Sequence, residues 1–252
     1  MNVFEPRPTG GWGLRTARRW LVLSAPLLVA AACSGAATET SSPSSPTAGS
    51  TSTPASSAVP DPTVIEGQVL GGGEYPGYTV EVPPGWSAPD GHFVLKSAGV
   101  IGVSVWDVGE VPRDPCRWKG TLADPGPAVD DLVKALVTQR LRHATEPTDV
   151  TLGGYRGSYL QWSVPADMVV TGDADFEGCD VEPSNGHRDF VSWLGNGYGE
   201  RYQQVAGQVD MLWVLDVDGQ RLLVDATYSP GTTGADRAEL ASIVESLRFT
   251  TG

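Results

Sequence analysis

VDMLWVLDVDGQRLLVDATYSPGTTGADRAELASIVESLRF, positions 209–249, decides the fold. Asp218-Gly219 between two apolar runs is a two-residue type I′ hairpin signal, and such a turn fixes the register of the strands it joins. Leu215 then faces Leu222, Trp213 faces Val224, Met211 faces Ala226 and Val209 faces Tyr228, which makes one wholly apolar surface. Asp216 with Arg221, Val214 with Leu223, Leu212 with Asp225 and Asp210 with Thr227 make the other. That second surface is expected to be half wet, with Asp216 and Arg221 as an ion pair. Past the hairpin, Thr233 is placed to cap a helix with Asp236 at its third position. Leu240, Ile243, Val244 and Leu247 would form its buried stripe.

Upstream, alternation marks further strands. Tyr78, Val80 and Val82 share a face, Pro83-Pro84-Gly85-Trp86 turns the chain, and His92 to Lys96 and Ile101 to Val105 complete a meander that opens near Tyr75. Residues 109–126, rich in proline, read as an ordered loop. Pro127 then starts a second helix, with Asp130 and Asp131 at its positive end and Val129, Leu132, Val133, Leu136, Val137 and Leu141 as its stripe. Arg140, Arg142 and His143 would complement its negative end, and Pro147 stops it. Val150 to Leu152, Ser158 to Val164, Phe190 to Leu194 and Arg201 to Ala206 are further strands, and Pro165 to His187 is an acidic loop. The expected fold class is α+β, a mostly antiparallel sheet packed with two amphipathic helices, as a single domain over residues 64–252.

The first 63 residues read differently. Arg15, Arg18 and Arg19 precede a short apolar run, Leu21 to Ala32, so residues 1–32 resemble an export signal; a membrane span would need about 20 apolar residues. Val29-Ala30-Ala31-Ala32-Cys33 resembles a lipobox, with Ala30 where leucine is usual, and implies acylation of Cys33 and a lipid anchor in the cell membrane on its extracytoplasmic face. An ordinary signal that ends beside a cysteine is the alternative. Arg18-Arg19 also resembles a twin-arginine signal, and the Sec and twin-arginine routes both stay open. From Ser34 to Thr63 the chain is nearly all Ser, Thr, Pro, Ala and Gly with no aromatic residue. Such composition predicts a disordered linker, residues 33–63 with the acylated cysteine, whose reach is about 30 Å.

Net charge is −13; without residues 1–32, which hold four Arg and one Glu, 13 basic and 29 acidic residues remain, near −16. Nucleic acid, whose phosphates require basic patches, is therefore not an expected partner. Three cysteines less an acylated Cys33 leave Cys116 and Cys179, which in an oxidising compartment favours one disulfide, with free thiols or intermolecular pairing as the alternatives. Tyr78 to Trp86 (YTVEVPPGW) and Ala241 to Phe249 (ASIVESLRF) resemble the segments that bracket PsbP-like domains of secreted bacterial lipoproteins of actinobacterial type. The resemblance spans roughly residues 75–250 and implies an antiparallel sheet flanked by helices, no transferable catalytic residue and binding of protein partners. The loop from Pro165 to His187 departs from that pattern.

Nucleophile elbows, zincin helices, phosphate loops and dinucleotide fingerprints do not occur in the sequence, so no enzyme, cofactor or metal is expected. His92, His143 and His187 share no spacing. Asp173, Asp175 and Glu177 before Gly178 echo the start of a calcium loop, but Ser184 stands where its closing Glu would be. Trp118 and Trp193, each beside loop sequence, are the candidate partner-binding aromatics if exposed. Three functions follow in order: a non-catalytic envelope lipoprotein that binds a protein or cell-wall component, a small-molecule-binding lipoprotein, and a hydrolase of unknown class.

Overall fold

The hairpin forms in the expected register. In the computed structural model, which describes residues 61–96 and 100–250, Leu215 pairs Leu222, Trp213 pairs Val224, Leu212 pairs Asp225 and Asp210 pairs Thr227. Asp218 at φ 53° and Gly219 at φ 86° carry the two positive angles that a type I′ turn demands.

In chain order the structure begins with β1 (Thr63–Gly67), β2 (Tyr78–Val82), β3 (Trp86–Ser87), β4 (Phe93–Lys96), β5 (Ile101–Trp106) and β6 (Val108–Pro112). A 3-10 turn over Pro115–Gly120, capped by the Asp114 carboxylate, leads to β7 (Leu122–Ala123) and the helix α1 (Val129–Val137). There follow β8 (Thr148–Leu152), β9 (Tyr155–Ser163), β10 (Val170–Thr171), β11 (Asp175–Phe176), β12 (Val191–Gly195) and β13 (Glu200–Tyr202). The chain ends with the hairpin strands β14 (Val209–Val217) and β15 (Gln220–Tyr228), the helix α2 (Gly234–Ser246) and β16 (Arg248–Phe249).

The hairpin lies at the centre of a seven-stranded sheet of order β3-β4-β5-β15-β14-β9-β8, whose neighbours all pair antiparallel. A second sheet, β13-β12-β6-β7, is built from short strands, and β1-β2-β16 form a third. The fold is therefore mostly antiparallel β with a small helical part. On one side of the large sheet α2 buries Leu240, Ile243, Val244 and Leu247 against Val103, Val105, Leu222 and Val224. Each such side chain taken from water contributes about 1.5–3 kcal/mol. Its N-terminus is held as expected, the Thr233 hydroxyl accepting from Asp236 N at 3.1 Å.

Several expectations need correction. The hairpin surface expected to be half wet is the drier one: Asp210, Leu212, Val214, Leu223 and Asp225 are all buried. The second sheet covers it: β12 and β13 are where strands were expected, but that they pair with β6 as a separate layer over the hairpin is not written in their alternation, and β12 shifts register against each partner. Asp216 and Arg221 do pair across the turn as residues, but not as ions: the Asp216 carboxylate accepts from Gly219 N at 2.8 Å, and Arg221 reaches the carbonyl of Val108. The helix α1 stops at Val137, with Leu141 at φ 57° beyond it, so Arg140, Arg142 and His143 cap nothing. The proline-rich segment holds β6 and β7, the acidic loop holds the β10–β11 hairpin, and β1 precedes the expected opening at Tyr75.

A Cβ on Gly219 would meet nothing within 4 Å, so Gly219→Ala tests the turn alone. The expected result in urea unfolding is a loss of about 1 kcal/mol or more, from the left-handed φ that alanine resists.

Candidate functional site

Between the two large sheets lies a layer of charge with no route to water. Arg201, on β13, donates to Asp225 at 2.6 Å through Nε and to Asp210 at 3.0 Å through Nη2. The other Asp210 oxygen accepts from Trp162 Nε1 at 2.8 Å and from Gln203 Nε2 at 2.9 Å. Arg142 enters from the segment after α1, its side chain fully buried, with Nη2 on the Ser192 hydroxyl at 2.6 Å and Nη1 3.8 Å from Asp210. Its guanidinium centre stands 4.2 Å from the Trp162 ring and 4.7 Å from that of Phe190. Two cations thus face two carboxylates.

Burial governs how these groups titrate. It pushes Asp225 up to about 7, the opposing pull of Arg201 notwithstanding, with Asp210 adding repulsion. Arg142 falls to about 9, again through burial, with Asp210 pulling the other way. For Arg201 burial also works against the charge, but Asp225 and Asp210 outweigh it and its pKa rises. Arg201, Asp210 and Asp225 are at most 5% exposed, so a substrate in solution meets none of them. The arrangement does structural work, pairing the charges that the hairpin carries into the interior, while Asp225 Oδ1, Gln203 Oε1 and Arg142 Nη1 have no hydrogen-bond partner among the described residues.

The disulfide corner lies beside it. Cys116 and Cys179 are joined, and with Val164, Phe176 and Phe190 they make a small separate core. Asp180 N donates to the carbonyl of Cys116 at 2.9 Å. Closing a loop of this size, a separation of 63 residues, stabilises by about 4 kcal/mol in the chain-entropy account. Two carboxyls nearby are shifted by burial: Asp189 rises to about 6, with Glu182 adding repulsion, and Glu200 to about 7, with Asp189 adding repulsion.

The aromatic candidates fall inside the protein. Trp193 is 0% exposed, edge-on to Trp106 with centroids at 5.8 Å and tilted against Trp162 at 6.1 Å. Trp118 is 8% exposed, under Lys119. Neither can stack on a partner, which corrects the expectation. In the calcium-like stretch Asp175 is held by Arg188 at 2.8 and 2.6 Å, well below the usual carboxylate range, and among the described residues no group of three His, Cys, Asp or Glu could hold a metal ion. Cys33 lies outside the described residues.

An aromatic surface does exist on the opposite side of the large sheet. α2 packs over β2, β5 and β15, whereas the helix that meets β14 and β9 is α1, which leads into Arg142 and the charge layer on the other face. Tyr159 and Trp213 pair directly across β9 and β14, with ring centroids 5.0 Å apart. The next pair along is Gln161 with Met211, then Ser163 with Val209, which in turn faces Tyr228. Tyr159, Trp213, Met211, Gln161 and Tyr228 are all half-buried. The Arg237 guanidinium stands 5.7 Å from the Tyr228 ring. Period-two alternation places these residues together; nothing local in the sequence said that the helix would miss them.

The fold and its surfaces define a β-rich, disulfide-linked domain of two facing sheets with an open aromatic strip. No family model matches the chain, and no curated protein matches it. Among solved structures it is similar to the cyanobacterial PsbP (CyanoP) of Synechocystis sp. PCC 6803, at 13% identity over 79% of this chain and 98% of that one, with a TM-score of 0.33.

Asp210→Ala leaves Arg142 and Arg201 facing a single carboxylate, and is expected to cost about 3–5 kcal/mol in chemical unfolding. Asp189, Glu200 and Asp225 all have raised folded values. Their contribution is complete below the ordinary carboxyl range near pH 4 and is lost as pH rises through 6 to 7. The charged form of Arg142, which titrates near 9, is constant across that window. Thermal unfolding is therefore expected at a higher temperature at pH 5 than at pH 8.

Proposed function

We propose that the chain is an envelope lipoprotein, anchored at the extracytoplasmic face of the cell membrane through an acylated Cys33, whose domain binds a protein or cell-wall component and catalyses no reaction. The observation that carries this is the half-open strip of Tyr159, Trp213, Met211 and Tyr228 on rigid, hydrogen-bonded strands. Aromatic residues left on a surface are the usual anchors of recognition, and a sheet supplies them already ordered. The Cys116–Cys179 bond supports the location, because such bonds persist in oxidising compartments. A small-molecule role has less support: Trp106, Trp162 and Trp193 fill the space between the sheets with their rings.

Replacing Cys33 by Ser in the full chain is expected to move the protein from the membrane fraction to the soluble fraction of lysed cells. A photo-crosslinking residue at position 159 is expected to trap a partner in intact cells. The same residue at position 245, on α2 away from the strip, should not.

A further inference from the structure

We infer that the strip on β8, β9, β14 and the end of β15 is a platform for a polysaccharide of pyranose units; this rests on the partner-binding reading above and names the partner's chemistry. Three properties of the surface point there.

The first is that apolar planes and free polar tips alternate. The Trp213 and Tyr159 rings pack on each other, centroids 5.0 Å apart and planes tilted by 46°, so each offers only part of its surface, while the Trp213 indole N–H, the Tyr159 and Tyr228 hydroxyls and the Gln161 amide make no side-chain hydrogen bond among the described residues. A pyranose ring has the matching character, with C–H groups on its faces and hydroxyls around its edge. Stacking satisfies the first and leaves the hydroxyls aimed at the tips. A protein partner is less well matched, since its anchoring side chains need pockets to fill, and here two rings close on each other across neighbouring strands.

The second is length. Tyr228 faces Val209, four residues along β14 from Trp213, so the backbone positions are about 13 Å apart along the strand at about 3.3 Å per residue, while the Tyr228 side chain reaches near enough to Tyr159 to help burial raise its pKa. Met211 and Gln161 lie between them. Two aromatic positions spaced this far apart on one rigid surface fit an extended chain better than a single sugar.

The third is charge. In an acidic chain, net −13, the outward residues of these rows, Gln161, Ser163 and Thr148, carry no charge, and the cation at the edge is Arg237 over Tyr228. A neutral or carboxylate-bearing sugar chain meets no like charge in these rows and one complementary charge at their end.

The full chain carrying Cys33→Ser is titrated, by calorimetry, with two probes: the hexamer of β-1,4-linked N-acetylglucosamine and the hexamer of galacturonic acid. Saturable binding of either is expected. It should weaken at least tenfold in Trp213→Ala and Tyr159→Ala, and measurably in Gln161→Ala, whose side chain lies outside the core. Val181→Ser, an exposed apolar site elsewhere, should bind as the parent does. Because Trp213 packs on the core, Trp213→Phe is read alongside, with unfolding curves for every variant. Binding unchanged by the strip variants overturns the proposal, as does no binding of either hexamer by the folded parent. If the crosslink at position 159 then captures a protein, the strip is a protein interface: partner binding stands and the polysaccharide does not.

Discussion

Two aspartates on the central hairpin point the wrong way for a simple sheet. Asp210 and Asp225 face the interior, and everything on that side of the molecule is arranged to meet them. A buried carboxylate without partners would cost more than the domain could spare, so the second layer must deliver cations at fixed points. β13 delivers Arg201, and the turn after α1 delivers Arg142. Neither layer could slide by one residue without stranding a charge, which makes the polar layer a device for register more than for net stability.

That constraint divides the tryptophans by role. Trp162 and Trp193 are interior because the polar layer needs an apolar frame: Trp162 gives its N–H to Asp210 and its ring to Arg142. Trp213 pairs with Tyr159, three positions along β9 from Trp162, and so faces the other side of the sheet, where it packs at the margin of the core that α2 covers over β2, β5 and β15. The same period of two therefore produces a sealed face and an open one from a single hairpin. The disulfide gives the acidic loop, which has few apolar residues, a core of its own around Phe176 and Phe190.

Much of the large sheet could be read from the residues. Asp218-Gly219 set nine pairs at once, and the stripes of both helices were visible in their spacing. What stayed hidden was non-local. β12 and β13 read as strands on either side of Gly195, Gly197 and Gly199, but their partner β6 lies in a proline-rich stretch that reads as loop, so the second sheet they build with it did not show. Arg142 follows a helical stripe that continues on paper to Leu141, whereas the backbone leaves the helix after Val137 and swings the arginine inward. Trp118 and Trp193 were picked for the loops beside them, but exposure is decided by what packs on top. Trp213, taken for core from its row, keeps part of its surface free for the same reason.

The three-stranded sheet binds the two ends of the domain to one strand: β2 has β1 on one side and β16, the last element of the chain, on the other. Arg248 meets Thr79 across most of the domain's length. A chain that emerges N-terminus first must therefore leave one edge of β2 unpaired until Arg248 and Phe249 appear. Synthesis and closure are separate events in this protein, and whatever guards an exposed strand edge has to do so for the time it takes to make nearly all of the domain.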